Sequence, residues 1–247
     1  MWLPTVLLAI IGPAWDGGGS GLAAAAAALQ PVYDRVVGDD GTVAYHLLAE
    51  DETLAAPLQA YARYMADLDD THLSKEEKIA AYANAYNVFV LLGVTRAWPV
   101  SSVRDIRPMF GFFTKEEWQV GKRKLSLNDL EKEHLRPLDP RVHFIINCAS
   151  ASCPKLDRRV LMPDSVDRIM DEAARTFLAE DDKNRFHADT GVWEVSKIFE
   201  WYREDWGEEA DVVAFIRALR PDLAAPRKLT YQEYDWDPNA SAAGLDP

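Results

Sequence analysis

Apolar residues recur at helical spacing through the first third of this chain and fall into short, bounded runs after it. Positions 54–65 place them three and four apart, which predicts an amphipathic helix. Ser74-x-x-Glu77 has the form of a capping box opening a second helix. The segment that follows, IAAYANAYNVFVLLGV (79–94), is apolar nearly all round and so predicts burial on every side. Asn84 and Asn87 interrupt it one turn apart, on one face. A buried amide needs partners, so the pair either ties down neighbouring backbone or serves a polar site. Trp98-Pro99 ends the helix, and 101–106 reads as a short helical turn.

Beyond residue 110 the periodicity changes. WQV-GK-RKL (118–125) predicts a β-hairpin with a tight turn. Ser126 caps a helix, LNDLEKEHLR, with Asp129 at its N3 position, Glu131 two residues on and His134 a turn later. Leu138-Asp139-Pro140 breaks that helix, and 142–147 has the length and β-branched content of a central strand. Pro163 introduces an amphipathic helix over 164–180. Segments 185–187 and 192–195 form a second hairpin, Ser196 caps the aromatic-rich KIFEWYREDW, and a last helix covers 211–219. The fold class predicted is α/β in the α+β sense, with helices packed on a small mixed or antiparallel sheet. The expected division is a leader over 1–29, one domain over 30–230 and a tail over 231–247, since no linker-like segment interrupts the middle.

Composition changes this picture in two places. The formal charge of −13 and the short basic cluster Lys122-Arg123-Lys124 argue against nucleic acid and against an anionic membrane surface. The apolar run 1–15 is too short to span a bilayer as a helix. It fits a secretory h-region, and the alanines at 23–28 offer A-x-A cleavage sites, although the n-region lacks Lys and Arg. The expectation is a periplasmic or secreted protein with no integral membrane segment in the mature chain, or a cytoplasmic one if that run is not a signal.

The candidate chemistry lies in DPRVHFIINCASASCPKL (139–156), which gathers both cysteines of the chain and His143 within 11 residues. A thiol beside an imidazole is a candidate nucleophile with its base, and a carboxylate that orients the imidazole completes such a site. Glu131, His143 and Cys148 supply the three groups. In a regular strand His143 and Cys148 would face opposite ways, so Cys153 is the other candidate nucleophile. Asn147 and the loop amides are candidate oxyanion donors, with Asn84 and Asn87 as further support. Other readings stay open: both cysteines packed as small hydrophobes or joined as a disulfide, or an incomplete metal site, since Cys-x4-Cys with one His falls short of four ligands. The spacing is not the C-x-x-C of redox motifs. Trp201, Tyr202 and Trp206 form a stripe that suits a core or the wall of a groove.

Four blocks, AYANAYN (81–87), LSLNDLE (125–131), DPRVHFIINCASASCPKL and SKIFEWYREDW, resemble the bacterial domain-of-unknown-function 547 family in order and spacing, over roughly 33–206. The YDW at 234–236 resembles a motif that follows the domain. Tyr82-Ala83 stands where the family has a bulkier apolar pair. The resemblance implies a reduced papain- or transglutaminase-like cysteine hydrolase with Cys148 or Cys153, His143 and Glu131 as its site, a peptide or amide-type substrate, and no cofactor. The alternative is a non-catalytic binding or scaffold domain of the cell envelope with structural cysteines.

Overall fold

The computed structural model describes residues 19–241. Its first layer is helical: α1 (Gly19–Ala27), α2 (Gln30–Val36), α3 (Tyr45–Glu50), α4 (Glu52–Ala66) and α5 (Lys75–Ala97). The capping box opens α5 as predicted: Ser74 accepts from the Glu77 N–H while the Glu77 side chain takes the Ser74 N–H. Every residue of α5 from Ile79 through Val94 is buried, as the all-round apolar pattern requires. Asp51 caps α4, its carboxylate accepting from the backbone of Thr53 and Leu54.

The N-terminal expectation needs correction. Leu22, Ala25 and Ala26 of α1 are buried, and α1 packs on α4 and α5. Part of the alanine run is therefore a helix with one buried face, Ala24 and Ala27 staying exposed, and the small side chains on the buried face allow close approach. A signal peptide cut among these alanines would lose part of that core. The reading of these alanines as signal-peptide cleavage sites is therefore not borne out by the fold. The apolar run 1–15 lies outside the described residues.

After α5 come two 3-10 turns, Val103–Asp105 and Pro108–Phe110, and α6 (Gly111–Thr114). β1 (Trp118–Val120) and β2 (Arg123–Leu125) form the predicted antiparallel hairpin, Trp118 opposite Leu125. Gly121 sits in its turn with φ +54°, a conformation that favours glycine. Ser126 caps α7 (Leu127–Asp129), its hydroxyl accepting from the Asp129 N–H. The chain then widens into a π-helical turn, Leu130–Leu135.

Residues 142–147 are not a strand. Pro140–Phe144 is a 3-10 helix. Asp139 caps it by accepting from the Arg141 N–H, and Pro140 carries the φ that a first turn needs. Local backbone bonds take the N–H groups of Val142, Ile145 and Ile146, and one side chain takes two more groups: Asn87 donates to the Ile145 carbonyl at 2.9 Å and accepts from the Asn147 N–H at 2.9 Å. The β-branched content reflects burial, not pairing.

α8 (Val166–Leu178) follows, then β3 (Arg185–His187), β4 (Val192–Val195), α9 (Ile198–Trp201), α10 (Arg203–Trp206), α11 (Glu209–Leu219) and β5 (Lys228–Tyr231). The second sheet has the order β3-β4-β5, antiparallel then parallel. Phe144, Phe177, Phe199 and Trp206 belong to a second buried cluster that also includes Trp193 and Val195 of β4. The architecture is thus α+β, with helices packed against one antiparallel and one mixed sheet. Past β5 the chain runs as a strap over the cysteine loop. The carbonyls of Asp235 and Asp237 accept from the N–H groups of Ser152 and Ala151, and the Asn239 N–H donates to the Ala149 carbonyl. Among the described residues no helix is long and apolar enough to cross a membrane.

Candidate binding site

Glu131 stands on the π-helical turn, where the Arg136 N–H reaches back five residues to the Glu131 carbonyl at 2.9 Å. Single π turns of this kind recur at functional sites. His143 comes from the 3-10 turn that follows and is buried. Its Nε2 meets Asp205 Oδ2 at 2.7 Å, and its Nδ1 lies 3.4 Å from Glu131 Oε1. Asp205, on α10, also accepts from Arg136 Nε at 2.6 Å and from the same guanidinium at 2.8 Å. Tyr202 covers the imidazole face with ring centroids 4.1 Å apart. Burial pushes the His143 imidazole toward its neutral form, but Asp205 and Glu131 outweigh it and raise the pKa above the ordinary histidine value. Burial likewise pushes Asp205 up, yet the bonds from His143 and Arg136 hold its carboxyl at about 2.

The two sulfurs have other partners. Cys148 Sγ lies 2.9 Å from the Ser150 hydroxyl and 3.3 Å from that of Tyr234, and these hydroxyls are 2.8 Å apart. Cys153 Sγ accepts from the Cys148 N–H at 3.0 Å. Ala149 between them adopts φ +67°, unusual for a residue with a Cβ. It turns the chain so that the Cys153 N–H can close on the Ser150 carbonyl at 3.1 Å.

This geometry overturns the thiol hydrolase. A general base must offer a nitrogen to the thiol, whereas both nitrogens of His143 face carboxylates and its raised pKa favours the imidazolium. Neither cysteine joins the His143 network, so no Cys-His-Glu triad forms with Cys148 or with Cys153. Its corollaries, a peptidase or amidase activity, transglutaminase-like character and a peptide or amide substrate, lose their basis. The amides proposed for an oxyanion are spent on structure. Asn84 donates to the Leu161 carbonyl and accepts from the Leu161 N–H. Asn87 holds residues 145 and 147, as described above. Asn147 donates to the Pro154 carbonyl and accepts from the Ala149 N–H. No group of three or more His, Cys, Asp or Glu able to hold a metal occurs among the described residues.

Glu131, His143, Cys148 and Cys153 nonetheless line one cavity of about 190 Å³. What surrounds them is aromatic. Tyr86 of α5 and Tyr202 are on its wall, Phe110 precedes α6 and Phe113 lies within it, and Trp201 closes α9. Tyr234 and Trp236 come from the strap, Trp236 lying 5.8 Å from Trp201 and 5.5 Å from Phe110 between ring centroids. Glu131 Oε1 is buried without a hydrogen-bond partner, its nearest counter-charge being the His143 ring.

Sequence reasoning missed Asp205, Arg136, Phe110 and Phe113. Asp205 lay inside the SKIFEWYREDW block, where its position beside the aromatic stripe was the available signal. Tyr234 and Trp236 were visible only as a tail motif.

No curated protein and no solved structure matches the chain, so no known fold, papain-like or other, is assigned to it. The family comparison reaches less than half of the 247 residues. It spans Asn84, Asn87, Glu131, His143 and both cysteines and stops before Trp201, Asp205 and the strap: residues 71–178 match the model of the family described as "Protein of unknown function, DUF547".

Proposed function

We propose that this chain is a non-catalytic binding module whose aromatic cavity takes a small organic cation of the alkylammonium type. The observation that carries this reading is where apolar surface is left uncovered. The exposed large hydrophobics among the described residues are Met109, Phe110 and Trp201. Phe110 and Trp201 line the cavity, and Met109 adjoins Phe110. Apolar side chains left in water around a concave site mark a binding surface.

The walls of the cavity favour a cation. Faces of Trp, Tyr and Phe carry negative quadrupole and attract ammonium groups. Glu131 and the His143 imidazolium that it faces both line the cavity and offset each other, so the attraction comes from the aromatic faces and from the formal charge of −13. A cavity of about 190 Å³ suits a head group, not a large ligand.

Choline and its carbon isostere, in which a quaternary carbon replaces nitrogen, separate charge from shape. Titration followed by tryptophan fluorescence should saturate with choline, and binding should be weaker by roughly tenfold for the isostere, the size of one desolvated cation–π contact. Trp236→Ala, with its fold checked by circular dichroism, should abolish the response. Equal affinity for the two compounds, or no saturable response to choline, overturns the reading.

A further inference from the structure

We propose that Cys148 and Cys153 form a peroxide-responsive pair, in which Cys148 is oxidised first and Cys153 resolves it to a disulfide. This stands apart from the ligand of the cavity. Cys148 is only partly buried and lines the cavity, so a small peroxide has a route to its sulfur. Two hydroxyls, Ser150 at 2.9 Å and Tyr234 at 3.3 Å, are placed to donate to that sulfur and stabilise it as a thiolate. The two hydroxyls lie 2.8 Å apart, both turned to the one sulfur. Cys153 is buried, and its sulfur sits 3.0 Å from the Cys148 backbone nitrogen, held there by the turn at Ala149.

The two thiols differ in how readily they ionise, which makes Cys148 the one oxidised first. Burial pushes Cys148 up, but the Cys153 thiol and the Ser150 and Tyr234 hydroxyls bring it down to about 7. Burial, and then the neighbouring Cys148, drive Cys153 well above the ordinary thiol value.

The chemistry balances. The Cys148 thiolate attacks one oxygen of hydrogen peroxide, forming an S–O bond and breaking O–O, and the departing hydroxide takes up a proton to become water. The Cys153 sulfur, giving up its proton, then attacks the Cys148 sulfur. An S–S bond forms, the S–O bond breaks and a second water leaves. Two thiols are oxidised by two electrons and one peroxide is reduced.

The test uses the whole protein. After treatment with a few equivalents of hydrogen peroxide, intact mass should fall by two hydrogens, and both cysteines should resist alkylation until a reductant is added. In Cys153→Ser the same treatment should leave a sulfenic acid on Cys148 that dimedone traps, and Tyr234→Phe should slow the reaction several-fold at pH 6 more than at pH 9. Retention of two alkylatable cysteines after peroxide, while exposed Met109 is oxidised, overturns the proposal. So does a sulfenic acid that persists on Cys148 with Cys153 present. The native protein's mass alone decides the matter should either variant fold poorly.

Discussion

His143 is held between two carboxylates, and the consequence is a structural imidazolium instead of a base. The sign of its pH effect follows from the direction of its shift. A pKa raised above 6.5 contributes stability that is fully present below that value and lost as pH rises through the folded value. Asp205, lowered from 3.8 to about 2, contributes above 3.8 and loses its contribution as pH falls toward about 2. Stability from urea unfolding should therefore be greatest between pH 3.8 and 6.5 so far as this pair decides it. His143→Ala strands Glu131 and leaves Asp205 to Arg136 alone, and should cost about 3–5 kcal/mol at pH 6, the usual effect of breaking a buried ion pair. A loss below 1 kcal/mol, or an unchanged alkaline limb, would mean that the imidazole is not the charge these carboxylates share.

At the scale of elements, α5 is the frame against which the rest is placed. Asn84 and Asn87 reach from it to residues 161, 145 and 147, and Gly93 lets α6 come close. A Cβ at Gly93 would lie 2.4 Å from Phe112 Cε2. Phe112 is fully buried and has nowhere to swing. Gly93→Ala gains roughly 1 kcal/mol of helix propensity, yet overpacking typically costs about 1–3 kcal/mol, so a net loss is expected. Because Phe110 and Phe113 flank the displaced ring, choline affinity should fall with it. A Gly93→Ala protein that is more stable than the parent would show that α6 yields freely.

For the whole molecule the strap is the joining piece. Asn239 accepts from the Tyr45 hydroxyl at 2.8 Å and donates to the Gly41 carbonyl and to Asn147 Oδ1. Its backbone holds Val43 and Ala149. One residue thus links α3, the loop before it and the cysteine turn. Asn239→Ala should lower stability by about 1–2 kcal/mol and speed alkylation of Cys148 by iodoacetamide in the native state. Unchanged alkylation would mean that the strap does not gate the thiol.

Much of the local structure was legible because its causes are local. The capping boxes at Ser74 and Ser126, the turns of both hairpins and the all-round apolar face of α5 each depend on residues a few positions apart. The adjacency of His143, Cys148 and Cys153 was legible for the same reason, and all three do line one cavity. Their chemistry was not legible. The groups that decide it are distant in sequence: Asp205, 62 residues past His143, and Tyr234, 86 past Cys148. The run 142–147 shows the same limit, since β-branched residues record burial, and whether a buried segment pairs as a strand depends on what lies beside it. Here that neighbour is the amide of Asn87. Sequence by itself determined the elements whose causes are local and which segments must be buried. The tertiary structure alone decided which distant polar groups meet, because a hydrogen bond between residues far apart in the chain is specified by position in space, and spacing along the chain encodes only local ones such as the capping boxes.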